Sequence, residues 1–266
     1  MTADQLAALC PRVQEIAREA GAYIRNERKA FDHTTIESKG RNNFVTHVDK
    51  NSEQMLVNAL APLLPGAGFI TEEDDTRERS ADYNWVIDPL DGTTNFIHGI
   101  PCYCVSIGLV SGNESVLGVI YEVNMDECFY AWKGGGAWLN GKKIRVAATK
   151  SLSESVVATG FPYDVGTHSH AYVQVLSELL KTVRGLRRIG AAAVDMAYVA
   201  CGRFDAFYES GINAWDVAAG SILVQEAGGK VSDFKNGTDF IFGRQIICGP
   251  EEVTGELSLI MEKHFS

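Results

Sequence analysis

The N-terminal part of the chain has the periodicity of helices. Its apolar positions recur at three- and four-residue intervals with polar residues between them, at Leu6, Leu9, Val13, Ile16, Ala17, Ala20 and Ile24. This spacing predicts an amphipathic helix, with Pro11 in its early turns or at a kink. A second helix is predicted from Asp49, as its N-cap, to the helix-breaking pair Pro65-Gly66.

Further along the chain the periodicity changes to that of strands. Three alternating runs predict an antiparallel meander, and they lie at 105–110, 116–123 and 128–132. Two short strands precede the meander, at 68–70 and 84–87, and each leads directly into acidic residues. Beyond residue 150, strands alternate with helices, which is typical of an α/β arrangement. We therefore predict an α+β half at 1–150, with the antiparallel sheet, and an α/β half at 151–266.

The composition narrows the classes of function. The 266 residues carry 24 Lys and Arg against 34 Asp and Glu, a net charge of −10, which disfavours nucleic acid and anionic membrane surfaces as partners. No apolar run reaches the ~18 residues of a membrane span and no secretion signal is recognised, so we expect a cytoplasmic protein. The six cysteines contain no CxxC pair and are expected to be reduced.

Three acidic segments are candidates for chemistry, at 71–75, 85–95 and 213–217. In the middle segment, Pro89 is expected to force the chain out of its ladder just after Asp88, and Asp91 follows one turn later. Gly92 would let the backbone approach an anion closely, and the amides of Gly92 and Thr93 would begin a helix where an anion is favoured. This segment thus combines a strand, a pair of carboxylates and the start of a helix that favours an anion. The combination is typical of a site for metal-dependent phosphotransfer.

Each acidic segment also has a purely structural interpretation. Taken singly, 72–75 is a solvated loop, Asp88 ends a strand in an Asx turn, and Asp216 is the acidic partner of an Asn213 cap. Together they favour a metal site, because two carboxylates ~4 Å apart repel by about 4 kcal/mol at an effective dielectric constant of 20. Several converging carboxylates would require divalent cations. Mg²⁺ is the expected occupant, and two ions could clamp the attacking and leaving oxygens of an in-line displacement.

Two motifs carry a family resemblance. The sequences DPLDGTTNF at 88–96 and WDVAAG at 215–220 resemble the two signatures of the inositol monophosphatase family of magnesium-dependent, lithium-sensitive phosphatases. The resemblance extends from Lys39 to the strand at 246–248. The sequence differs from the family pattern at Thr71, where the family usually has Gly. It implies a layered α-β-α-β-α sandwich of the sugar phosphatase type that includes fructose-1,6-bisphosphatase. It also implies a homodimer, and a site between the two halves.

The resemblance implies a set of metal ligands. Glu72, Asp88 and the carbonyl of Leu90 would bind the first Mg²⁺, so that the first ligands belong to the N-terminal half. Asp88, Asp91 and Asp216 would bind the second ion. A third, weaker ion would share Glu72.

The resemblance also implies catalytic and substrate-binding roles. Thr93, hydrogen-bonded to Asp49, would position and deprotonate the water nucleophile with help from Glu72. The backbone amides of Gly92 and Thr93 would bind the phosphate group. Three further residues would contact hydroxyls of the inositol ring, namely Asp91, Ala192 and Glu209. Lys39 and Glu73 are further candidates beside the metal loop.

These residues predict a phosphatase that hydrolyses a small phosphate monoester, with myo-inositol 1-phosphate as first candidate, by a metal-activated water. Fructose-1,6-bisphosphatase or phosphoadenosine phosphatase activity is the alternative within the superfamily, because a bisphosphate calls for extra cations and Arg184, Arg187 and Arg188 are available. A noncatalytic regulatory protein is the alternative from another class. The presence of every acidic ligand and of Thr93 argues against it.

Overall fold

The computed structural model describes residues 1–32, 37–40, 43–74, 76–161 and 169–265. The helices are α1 (Ala3–Lys29), α2 (His47–Leu60), α3 (Thr93–His98), α4 (Ser169–Thr182), α5 (Ala192–Ala200), α6 (Ala214–Glu226) and α7 (Glu251–His264). The first nine strands are β1 (Glu37–Gly40), β2 (Asn43–Val45), β3 (Gly68–Thr71), β4 (Asn84–Asp91), β5 (Cys104–Ser111), β6 (Glu114–Glu122), β7 (Glu127–Trp132), β8 (Gly136–Leu139) and β9 (Lys142–Ile144). The others are β10 (Val156–Thr159), β11 (Gly185–Arg187), β12 (Ala206–Ser210), β13 (Lys230–Ser232) and β14 (Gln245–Gly249).

Both predicted N-terminal helices are present. Pro11 lies inside α1 rather than at its first position. The prediction that Asp49 is the N-cap of α2 is wrong, because Thr46 occupies that position and Asp49 is the third helical residue. The buried Asp49 carboxylate reaches back to the cap, where its Oδ2 accepts hydrogen bonds from Thr46 N at 2.8 Å and Thr46 Oγ1 at 2.6 Å. A short acidic side chain thus satisfies the helix start from within the first turn.

The predicted meander is confirmed and is part of a larger sheet. Strands β3 to β9 pair in sequence order, antiparallel throughout except for the parallel pair β3 and β4. Pro89 takes the chain out of the ladder just after Asp88, as predicted, but only for two residues. Asp88 pairs with Ser106 and Asp91 with Cys104, so β4 passes through the proline with one extra residue, as a β-bulge.

The second sheet has the strand order β11-β10-β12-β14-β13, with β10 parallel to both of its neighbours. Helices α1 and α2 cover the outer face of the seven-stranded sheet, and α5 and α6 pack between the two sheets. Helices α4 and α7 cover the outer face of the five-stranded sheet. This arrangement confirms the predicted α-β-α-β-α sandwich. The division of the chain at residue 150 stays a prediction, because the core between the sheets draws on both parts.

Glycines allow α6 to lie directly on the larger sheet. A Cβ added to Gly118 of β6 would lie 2.5 Å from the Ala219 carbonyl oxygen, and one added to Gly108 of β5 would lie 2.9 Å from Ala218 Cβ. The close approach brings the start of α6 next to the end of β4. Among the described residues, no helix is both long enough and apolar enough to cross a bilayer.

Candidate metal centre

Three carboxylates meet where β4 and α6 approach each other. One oxygen each of Asp88, Asp91 and Asp216 lies within 4.8 Å of the other two. The two β4 residues are buried, with 2% and 7% of their surface exposed, and Asp216 is half-buried. Clustered carboxylate oxygens of this kind are the donors that Mg²⁺ and Ca²⁺ prefer.

The electrostatics of this cluster favour a cation. Burial raises the pKa of Asp91 to about 6, although hydrogen bonds from the start of α5 oppose the shift. Burial and then the charge of Asp91 raise the pKa of Asp216 to about 8. Burial also raises the pKa of Asp88 well above its usual value, and the neighbouring charge with the largest effect is that of Glu72. A divalent cation would offset this repulsion and keep the carboxylates ionised.

The side chain of Asp91 is held in place by the start of α5. Its Oδ1 accepts a hydrogen bond from Ala192 N at 3.2 Å, and its Oδ2 accepts one from Ala193 N at 2.7 Å. The Cys104 thiol also donates to Oδ2, over 3.6 Å. Ala192, expected to contact substrate hydroxyls, therefore lies beside the cluster. The Cys104 contact was not foreseen from the sequence.

Asp216 has two roles in the fold. Its Oδ2 accepts a hydrogen bond from the backbone N–H of Asn213 at 2.8 Å, at the start of α6. The capping interpretation of Asp216 is therefore correct, and the same carboxyl also belongs to the acidic cluster. The two interpretations do not exclude each other, because a carboxylate has two oxygens and several lone pairs.

Glu72 lies in the loop after β3, and α2 holds this loop in place. Glu72 N donates to the Ile87 carbonyl at 3.3 Å. The nearly buried Glu53 of α2 accepts a hydrogen bond from Glu73 N at 2.8 Å and one from Arg77 Nη2 at 3.2 Å. Glu72 is outside the group of three whose oxygens lie within 4.8 Å, but it is near enough to raise the pKa of Asp88.

Glu53 was not among the residues singled out from the sequence. The signal that could have found it is a charged residue three and four positions before the apolar Leu56 and Val57, on the buried face of a helix.

Thr93 lies beside the cluster at the start of α3. Its Oγ1 is 2.9 Å from Asp49 Oδ1 and 3.0 Å from the Leu90 carbonyl oxygen. Gly92 has a φ of 95°, and an added Cβ would lie 3.0 Å from the Cys102 carbonyl oxygen. Only glycine therefore fits this turn without strain.

A cavity opens beside the acidic cluster, and the predicted substrate-binding residues Ala192 and Glu209 line it. Its lining includes Asp91, Arg188, Ala192, Asp195, Glu209 and Asp216. Burial, and then the charge of Asp91, raise the pKa of Glu209 to about 8. A Cβ added to Gly160 would lie 2.1 Å from the Glu209 carboxyl, so this carboxyl occupies the space that any other residue would fill.

The sequence analysis did not single out Asp195 or Gly160. Lys39 lies in β1, and its side chain lies outside the described part of the chain. The roles assigned to the individual site residues stay predictions.

Known proteins resemble the whole of this chain. The model of the inositol monophosphatase family matches residues 8–263. An inositol-1-monophosphatase of Mesorhizobium japonicum is 37% identical over 260 residues, covering 97% of this chain and 98% of that protein. Nus factor SuhB of Escherichia coli is 39% identical over 251 residues, covering 94% of each chain. The crystal structure of extragenic suppressor protein suhB from Bartonella henselae matches with a TM-score of 0.90 at 37% identity, covering 96% and 99% of the two chains.

Proposed function

Because this chain belongs to the inositol monophosphatase family, we propose that it is a Mg²⁺-dependent phosphatase of small phosphate monoesters, with myo-inositol 1-phosphate as first candidate substrate. The observation that carries the proposal is the meeting of Asp88, Asp91 and Asp216, of which Asp91 and Asp216 line a cavity. A homodimer and lithium sensitivity, which the family resemblance implies, belong to the same proposal, as does the cytoplasmic location that the sequence analysis expects.

The residues present fit magnesium. The donor set is made of carboxylates, the hard oxygen ligands that Mg²⁺ prefers, and their pKa values are raised by burial and then by one another's charge, which a bound cation would offset. Asp88, Asp91 and Asp216 would hold one ion, and Glu72, Asp88 and the Leu90 carbonyl another. Bound magnesium lowers the pKa of water and stabilises negative charge on phosphoryl oxygens.

The protein's own residues would handle the proton of the attacking water. The Thr93 hydroxyl donates to Asp49 or to the Leu90 carbonyl, which leaves its oxygen lone pairs to orient a water molecule. Burial raises the pKa of Asp49, so this carboxylate takes up a proton more readily than an exposed one. Asp49 is in turn held by two hydrogen bonds from Thr46, so the Thr93–Asp49 pair rests on the rigid start of α2.

The alcohol part of the substrate would lie in the cavity. Glu209 and Ala192 line it, next to the carboxylate cluster, and Glu209 offers a polar group to a hydroxyl. The amides of Gly92 and Thr93 are the proposed donors to the phosphate. Fructose 1,6-bisphosphate and phosphoadenosine phosphates are the alternative substrates, for which Arg188 at the cavity would supply a positive charge.

The test is a phosphate-release assay with and without Mg²⁺ on a panel that contains myo-inositol 1-phosphate, fructose 1,6-bisphosphate and a phosphoadenosine phosphate. We expect turnover that requires Mg²⁺ and is fastest on the inositol ester. Thr93→Val should lose at least 100-fold in kcat, within the range that a positioned proton-transfer group contributes. Thr94→Val is the matched control and should keep its activity, because Thr94 is exposed one position further along the same helix.

A second candidate function has support from the names of the relatives. The Escherichia coli and Pseudomonas aeruginosa relatives, 39% and 41% identical, are both named Nus factor SuhB. A regulatory role would become the first candidate if folded protein released no phosphate from any ester of the panel at any Mg²⁺ concentration. That result would refute the proposed phosphatase activity.

A further inference from the structure

Asp195 is a buried acid whose hydrogen bonding is incomplete. It lies in the first turns of α5 with 1% of its surface exposed. Its backbone N–H is satisfied by the Ala191 carbonyl at 3.0 Å. Its side-chain Oδ1 is also buried, yet it has no hydrogen-bond partner in the ranges that the structure describes.

An unsatisfied buried acceptor is costly to the fold. Leaving such a group without a partner destabilises the folded state, and an apolar residue on this face of α5 would avoid that destabilisation. The buried residues around Asp195 on α5 are apolar, since Val194, Met196 and Ala197 are all fully buried in the core between the sheets. The carboxyl is therefore the exception on an otherwise hydrophobic helix.

The position of Asp195 indicates what its partner would be. Asp195 lines the cavity together with Glu209 and Asp91, so the polar side chains of β4, α5 and β12 face the same space. Burial raises the pKa of Asp195 well above its usual value, and the negative charges of Glu209 and Asp91 raise it further. A neutral hydroxyl bound here would supply a hydrogen bond without adding further negative charge.

We propose that Asp195 is a specificity-determining residue, whose carboxyl accepts a hydrogen bond from a hydroxyl of the substrate's alcohol part while Glu209 binds a different hydroxyl. The inference rests on the proposed phosphatase function and deepens it. It predicts a higher kcat/KM for esters whose alcohol carries at least two free hydroxyls besides the esterified oxygen than for esters of simple alcohols, which the protein would hydrolyse more slowly.

The charges around the cavity argue against a second phosphate at this position. Four acids line the cavity, namely Asp91, Asp195, Glu209 and Asp216, and Arg188 is the one basic residue in the described lining. The Arg188 guanidinium lies 5.5 Å from the centre of the Phe161 ring, at the exposed side of the cavity. A dianionic group placed between the acids would be repelled, whereas hydroxyls would not.

The test compares two variants on two substrates. Asp195→Leu keeps the branched shape of the side chain but removes the acceptor, and Asp195→Asn keeps an amide oxygen that can accept the same hydrogen bond. The substrates are myo-inositol 1-phosphate and ethyl phosphate, whose alcohol has no further hydroxyl. Folding is checked by circular dichroism, and Asp195→Ala replaces the leucine variant if that variant does not fold.

We expect Asp195→Leu to lower kcat/KM for the inositol ester at least tenfold, mainly through KM, and to leave ethyl phosphate within twofold of the parent protein. Asp195→Asn should restore kcat/KM for the inositol ester to within about threefold, since its oxygen accepts the same bond. An equal loss on both substrates would overturn the inference, because it would indicate a purely structural role. Unchanged kinetics on the inositol ester would overturn it as well. Failure of the unmodified protein to hydrolyse either ester with Mg²⁺ would instead refute the proposed function, and this inference with it.

Discussion

Neutralising one carboxylate of the metal centre should stabilise the metal-free protein. At 4.8 Å and an effective dielectric constant of 20, each ionised pair among Asp88, Asp91 and Asp216 repels by about 3.5 kcal/mol. Partial protonation already relieves some of this repulsion, because the pKa of Asp216 is raised to about 8. We therefore expect Asp216→Asn to raise the free energy of unfolding by about 1–3 kcal/mol without metal. The amide oxygen can still accept the hydrogen bond from Asn213 N that caps α6.

The assay is thermal unfolding with EDTA and with excess Mg²⁺, at pH 8. One kcal/mol shifts the Tm of a protein of this size by roughly 2–4 °C, so Asp216→Asn should melt several degrees higher than the parent in EDTA. Mg²⁺ should raise the Tm of the parent protein and have little effect on the variant. Asp82→Asn is the control, since it removes one negative charge from an exposed loop position. A variant no more stable than the parent in EDTA, or stabilised equally by Mg²⁺, would refute the reasoning.

The same electrostatics fix the sign of the pH dependence without metal. The folded pKa values of Asp91 and Asp216 are raised to about 6 and about 8, against 3.8 for an unperturbed aspartate. Between pH ~4 and ~8 the folded state therefore binds more protons than the unfolded state, and stability falls as the pH rises through this window. For Asp91 alone the loss is about 3 kcal/mol at 1.36 kcal/mol per pH unit. Urea unfolding in EDTA at pH 4 and pH 8 measures the combined loss from both groups, and greater stability at pH 8 would contradict this account.

The sequence predicted most of the fold because its signals are local. The periodicity of α1, the alternation of the meander and the strand–helix pattern beyond residue 150 each depend on residues close together in the chain. The sequence was wrong about one detail and incomplete about another, and both details depend on partners. Asp49 looked like a cap, but the reach of its side chain back to Thr46 makes Thr46 the cap. Pro89 was expected to force the chain out of the ladder, and it does so, but renewed pairing with β5 at Asp91 limits the departure to a bulge.

The candidate site could be predicted only where its residues follow strands or belong to motifs. Asp88, Asp91 and Asp216 were found in this way, and the structure brings them together. Glu53 and Asp195 were missed because in sequence a buried acid on a helix resembles an exposed one. Their importance comes from what the tertiary structure places next to them, namely the loop after β3 and the cavity between the sheets.

Two further substitutions test how the site is supported. Glu53→Gln should lower the free energy of unfolding by about 1–3 kcal/mol and reduce the Mg²⁺-induced rise in Tm, because it weakens the attachment of the loop that carries Glu72. Equal Tm shifts with Mg²⁺ in parent and variant would contradict this. Gly160→Ala should displace the Glu209 carboxyl, which lies 2.1 Å from the position of the new Cβ, and so raise KM for the inositol ester. Gly255→Ala is its matched control, since a Cβ there meets no atom within 4 Å, and in the middle of α7 alanine should add up to about 1 kcal/mol of stability. If the two alanine variants gave the same KM, Gly160 would not be what leaves room for the Glu209 carboxyl at the cavity.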